Sequence, residues 1–307
     1  MPDAQNAPIE YLISVTNIES ENVVMERFAL KGLKTPQTLS KQEQSQPPKL
    51  TKPGRHTHFD LPADRVSDWH VQGVLMSHFL NTMSIMAPAV ERFTMSSTMY
   101  FQRRTELSQL RPRVMELLSQ EAAHRFEHTL YNRLLEAAGL PAAQLERQVE
   151  KLLNAALGGQ WVSPSFRLAV VLMFEHHAAL VSKMTLERPE LLNGSVNAFK
   201  QLWLWHAREE VQHKSVAYDV WINAVGSGVK AYLLRIGAVV LAGLPTLVTA
   251  LFIFTALLAA ERNRRIDARC AWHFLKGFVG PKGVVPTIAP GWFRYLLPGF
   301  HPDKEGS

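Results

Sequence analysis

The chain has 307 residues, 47% hydrophobic and 20% charged, with a net charge of +6 and a pI of about 9.5. This composition suits a globular protein with a sizeable core and excludes a disordered chain. The excess of Lys and Arg forms no dense stripe, so no nucleic-acid partner is expected and anionic lipid or solvent is the simpler counterpart. The single cysteine, Cys270, excludes an internal disulfide, a cysteine zinc site and an iron–sulfur cluster held by this chain alone.

Residues 1–55 read as a peripheral segment, with weak alternation over Ile9–Lys34 and a Pro-, Gln-, Ser- and Lys-rich linker from Pro36 to Arg55. The first residues lack a basic start followed by an apolar run, so no secretory signal is expected and the protein is placed in the cytoplasm. Phe59–Trp69 is an irregular lead-in, with Ser67 or Asp68 as the expected helix cap. Helical periodicity then takes over. The first long amphipathic segment is Gln72–Arg103, with an interruption and a kink expected at Pro88. Leu110–Ala138 follows, with Pro112 in its first turn and Gly139-Leu-Pro141 at its end. A shorter helix covers Ala142–Leu157, and two further long ones cover Ser165–Leu186 and Asn197–Ala224. No segment keeps a two-residue alternation, so the class is all-α.

Two of these helices carry Glu-x-x-His: Glu121-Ala-Ala-His124 and Glu210-Val-Gln-His213. A three-residue step puts both side chains on one helix face, one turn apart. The other two long helices each offer a carboxylate in an apolar setting, Glu91 and Glu175. The order Glu, Glu-x-x-His, Glu, Glu-x-x-His over four helices is the pattern of ferritin-like bundles that hold two metal ions. Four buried carboxylates would otherwise repel and carry a heavy desolvation cost, whereas two divalent ions neutralise them. Hard oxygen ligands with imidazoles favour iron, with manganese or zinc as alternatives. The expected ligands are Glu91, Glu121, His124, Glu175, Glu210 and His213, and the four glutamates are the expected catalytic set. His206 shares the stripe of Glu210 and His213, and is either a third imidazole ligand or a hydrogen-bonded neighbour. His128 is expected to support the ligands from one turn away. Glu209 and Gln120 are placed to accept a proton from the ligand histidine of the opposite motif. His176 and His177 are read as structural.

Beyond the bundle (56–228), residues 229–307 contain Ile236–Ala260, 25 residues without a charge. A continuous helix of that length reaches roughly 37 Å, enough to cross a bilayer. Arg262, Arg264, Arg265 and Arg269 follow it, which places that end on the cytoplasmic side, where the metal bundle is also expected. A bend or re-entrant hairpin at Gly243–Pro245 would reconcile the two, with the aromatic and basic tail lying at the membrane interface. Gly226-Ser-Gly228-Val-Lys-Ala231 matches a dinucleotide fingerprint loosely, but it follows a helix and is rejected.

Five segments carry a family resemblance: FDLPADRV (59–66), AVERF (89–93), SQEAAHRFEHTLYN (119–132), LWLWHAREEVQHKSVAYDV (202–220) and PGFHP (298–302). Over residues 56–302 the chain resembles the bacterial predicted metal-dependent hydrolases of the ferritin-like superfamily. The last segment departs slightly, with Asp303 where the family often has an aromatic residue. The resemblance implies the six ligands named above and no particular substrate. The trio His206, Glu210 and His213 also resembles the ligand set of di-iron arylamine N-oxygenases, which implies redox chemistry. The leading expectation is an O2-activating oxidase or oxygenase acting on an apolar, amphipathic or amine small molecule, served by an external electron donor. The alternative is a metal-dependent hydrolase.

Overall fold

The computed structural model describes residues 58–102, 109–261 and 266–302. Among these residues the structure is helical, with no strand. The segment 1–55 and the arginines at 262, 264 and 265 lie outside the described residues.

Four long helices form the bundle: α1 (Val74–Gln102), α2 (Arg111–Ala137), α4 (Pro164–Glu187) and α5 (Asn197–Ala224), with the shorter α3 (Ala142–Leu157) between α2 and α4 in the chain. α1 packs on α2 and α4 on α5, and contacts of α1 with α4 and of α2 with α5 close the bundle. α2 starts with a proline in its first turn, where no intrahelical N–H is needed. It ends at Gly139, whose φ of 87° is the left-handed conformation glycine adopts without strain. Ser163 caps α4, its hydroxyl accepting from the Phe166 N–H.

Three local expectations are corrected. Ser67 and Asp68 cap no helix: α1 begins only at Val74, and Asp68 instead accepts a hydrogen bond from Arg65 within a turn of the lead-in. Pro88 lies inside one unbroken helix. A proline has no N–H for the carbonyl four residues back, and that carbonyl, of Ser84, accepts instead from the Asn132 side chain on α2 at 3.0 Å. A neighbouring helix thus satisfies the group that Pro88 leaves behind. The third correction concerns the apolar run. It makes no hairpin but belongs to one helix, α6 (Val229–Ala260), which is 32 residues long. Ahead of Pro245, Val239–Gly243 form a π-helical turn, and the helix continues through it without reversing the chain.

α6 runs along α4 and α1, and its buried positions Ala231, Arg235, Ala238, Ala242, Ile253 and Leu257 recur at helical spacing. At its far end Glu261 meets the fully buried His78 of α1 at 3.2 Å. Asn81 donates to His78 Nδ1, so Nε2 carries the proton toward Glu261. Two amphipathic helices follow, α7 (Ala268–Val279) and α8 (Val284–Tyr295). Phe274 of α7 stacks on Phe254 of α6. Buried Arg235 donates to the Leu297 carbonyl and lies over the Tyr295 ring. His176 of α4 donates to the Gly291 carbonyl and stacks on Tyr295, in keeping with a structural reading.

Candidate metal centre

Each bundle helix turns acidic or imidazole groups into the interior. Glu91 comes from α1, Glu121 and His124 from α2, Glu175 from α4, and His206, Glu210 and His213 from α5. All are buried except His206, which is half-buried. Ligand atoms of Glu121, His124, Glu210 and His213 lie within 4.8 Å of one another, as do those of Glu91, His124 and His206. The two groups share His124, so they describe adjoining positions rather than separate sites.

The motifs are crossed. His124 Nδ1 of the first faces Glu210 of the second at 3.2 Å, and His213 Nδ1 faces Glu121 at 3.2 Å. His213 Nδ1 also stands 3.8 Å from Glu175. One oxygen of Glu210 lies near three imidazoles: 3.2 Å from His124, 3.4 Å from His206 and 3.5 Å from His213.

The outer nitrogens of the two motif histidines are held from behind. His124 Nε2 pairs with Glu209 at 2.9 Å and His213 Nε2 with Gln120 at 3.0 Å. These are the crossed partners that the sequence spacing suggested. Each acceptor draws the ring proton to Nε2 and leaves Nδ1 with a lone pair facing inward.

His206 is held by a longer chain. Asn132 Nδ2 donates to Glu146 at 2.9 Å and to the Ser84 carbonyl at 3.0 Å, so its Oδ1 is left to accept from the Ser84 hydroxyl at 2.9 Å. The Ser84 oxygen can then only accept, and it takes the His128 Nδ1 proton at 3.0 Å. His128 Nε2 is therefore bare and accepts from His206 Nδ1 at 3.2 Å. Burial lowers the pKa of His128 to about 3 and holds His206 well below the usual imidazole range, so both rings are neutral, as the chain requires. The lone pair of His206 Nε2 is left facing Glu210. Two acceptors 3.4 Å apart with no proton between them form a seat for a cation.

Electrostatics point the same way. Burial, reinforced by the charges of Glu121 and Glu210, pushes the carboxyls of Glu91 and Glu175 well above the usual range. Burial would also raise Glu210, but His213, His124 and His206 outweigh it and keep that group ionised. Burial alone would lower His213, yet the negative charges of Glu210 and Glu121 close to its Nδ1 lift it well above its ordinary value. These are the responses of a crowded acidic cage seeking positive charge. Both oxygens of Glu91, Glu175 Oε2, His124 Nδ1 and His213 Nδ1 are buried without a hydrogen bond. Five orphaned polar atoms converging on one interior are costly unless ions ligate them. The donor set therefore fits a pair of metal ions.

A cleft of about 330 Å³ between α2 and α5 reaches His213. Polar side chains dominate its walls, among them Arg113, Glu116, Gln120 and Gln212. Trp205 meets His124 in a T-shaped contact, ring centroids 4.8 Å apart, and also meets Phe59 of the lead-in.

The structure thus brings all seven residues expected from the sequence around one interior. Sequence reasoning missed Ser84, Asn132 and Trp205. Only Ser84 had a local signal, since it stands four residues before Pro88. A family model described as predicted metal-dependent hydrolase matches residues 53–306. No curated protein and no solved structure matches the chain.

Proposed function

The chain belongs to the predicted metal-dependent hydrolase family, and from that premise we propose that it is a hydrolase working with two metal ions inside the bundle. The observation that carries this reading is the convergence of five orphaned ligand atoms in one buried cage. Glu91, Glu121, His124, Glu175, His206, Glu210 and His213 would hold the two ions between them. When bound, two divalent ions lower the pKa of water and polarise an ester, amide or phosphate. The chain supplies the rest. Glu209 and Gln120 orient the imidazoles, the chain from Glu146 to His128 fixes His206, and the helices around the cage keep bulk water away. A small-molecule substrate would enter by the polar cleft beside His213.

The oxidative reading stands second. It is favoured by the four carboxylates, which suit iron, but the family's description speaks of hydrolysis and lends oxygenase chemistry no support. It would also require an external electron donor.

The test is a panel of esters, amides and phosphoesters presented to zinc- or manganese-loaded protein without O2 or reductant. Turnover that a chelator abolishes, and that Glu121→Ala lacks, is the expected result. No turnover on the panel, with O2 consumed once the protein is loaded with Fe(II), would put the oxidative reading first.

A further inference from the structure

α6 is split lengthwise. Its narrow buried stripe is seated on the bundle, while the opposite face turns Val240, Leu244, Leu247, Leu251 and Phe252 outward, each more than half exposed. α7, seated on α6 through the Phe254–Phe274 stack, and α8 carry further exposed apolar side chains, Trp272, Leu275 and Phe293. A contiguous apolar face of this kind is rare on a monomer that meets only water.

Charge identifies what covers it. Residues 229–307 hold ten of the chain's 33 Lys and Arg but only four of its 27 Asp and Glu. The preceding 228 residues hold 23 of each, so the entire net charge of +6 belongs to the segment that carries the apolar face. Lys230, Arg269, Lys276, Lys282 and Arg294 are exposed around it. A second copy meeting this face would bring like charge against like across an isologous contact. An anionic surface with an apolar interior complements both properties.

We propose that α6, α7 and α8 form an in-plane platform that seats the protein on one leaflet of an anionic lipid membrane. α6 is long enough to span a bilayer but is not built to do so. One stripe of it, including buried Arg235 bonded to the Leu297 carbonyl, is committed to the bundle along its length, whereas to span, it would have to leave the bundle or carry the bundle's polar surface into the hydrocarbon. The outward face enters the acyl boundary while the surrounding cations meet headgroups. This inference is independent of the metal chemistry.

Flotation of the full chain with vesicles tests it, comparing pure phosphatidylcholine with a phosphatidylcholine–phosphatidylglycerol mixture. The anionic vesicles should bind at least about tenfold better, with the advantage shrinking as salt is raised. An alkaline carbonate wash should release the protein. The Leu244→Gln/Leu251→Gln double variant should lose binding while its helical circular dichroism and metal content stay unchanged. Failure to float with either vesicle would overturn the proposal, as would a solution dimer that the double variant dissolves. Retention through the carbonate wash would overturn the in-plane arrangement in favour of a span.

Discussion

The bundle interior and the C-terminal platform break the ordinary rule of burial in opposite directions. Inside, Glu91, Glu121, Glu175 and Glu210 are removed from water, and the nearby charge of Arg125 does not offset the burial of Glu91. Outside, Leu244, Leu247 and Leu251 of α6 stand in the open. Buried carboxylates cost free energy unless they are neutralised, and exposed leucines cost it unless they are covered. Each region therefore implies something that the polypeptide does not itself provide, cations in one case and a lipid surface in the other. A functional site announces itself where local choices contradict the environment.

The comparison is broken most severely by removing Glu210, which serves three imidazoles. Glu210→Ala should reduce bound metal to one ion per chain or none, as read by elemental analysis. The remaining charges stay buried without a partner, and losses on the order of 3–5 kcal/mol are typical of such truncations. Removing the ions while keeping the residues acts in the same direction. An ion held at a thousand times its Kd contributes about 4 kcal/mol to stability. Chelated protein should therefore melt well below the loaded form, and the gap should shrink in Glu121→Ala. If chelation left the melting temperature unchanged, the cage would not be a metal site.

Substitutions one step out sharpen the comparison. Gln120→Leu and Glu209→Ala leave every proposed ligand in place but release the imidazole behind it. Each should weaken metal affinity by about 10–100-fold, measured by competition with a chromophoric chelator. Ser84→Ala should have a smaller effect that is confined to the His206 side. It removes the acceptor that sets the His128 tautomer, and nitrogen-15 shifts of His206 should report a mixture of ring forms.

The smallest expected effect lies under the platform. Burial holds His176 at a pKa of about 3, against an ordinary value of 6.5. The unfolded chain thus binds a proton that the folded chain refuses between those two values. Stability should be complete above pH 6.5 and fall as pH drops toward 3. His176→Phe, which keeps the stack on Tyr295, should flatten that slope in acid denaturation curves.

How much of this was legible in the sequence depended on the range of the interaction. Ala142–Leu157 and Asn197–Ala224 could be bounded to the residue because caps, breakers and period are local. The residues that converge in the cage were legible because a three-residue step on a helix is a local code, repeated here on two helices. The outer pairs of Glu209 and Gln120 followed from the same step. The Asn132–Ser84–His128 chain was not legible, because its order is created by α1 lying beside α2. Pro88 was read as an interruption for the same reason: the carbonyl it leaves free is satisfied by Asn132 from another helix, and the helix runs through it. Pro245 was misread as a hairpin bend, since nothing in a 25-residue apolar run foretells a π-helical turn. The pairing of His78 with Glu261 joins residues 183 positions apart and has no signature in either neighbourhood.

The central claim is that the bundle holds two ions in one shared cage. Elemental analysis of the purified full chain, beside the same preparation of Glu210→Ala, tests it most directly. The account predicts two ions per chain in the first and at most one in the second, with helical content preserved in both. A chain that binds no metal, or one whose metal content is unaffected by the loss of Glu210, would contradict it.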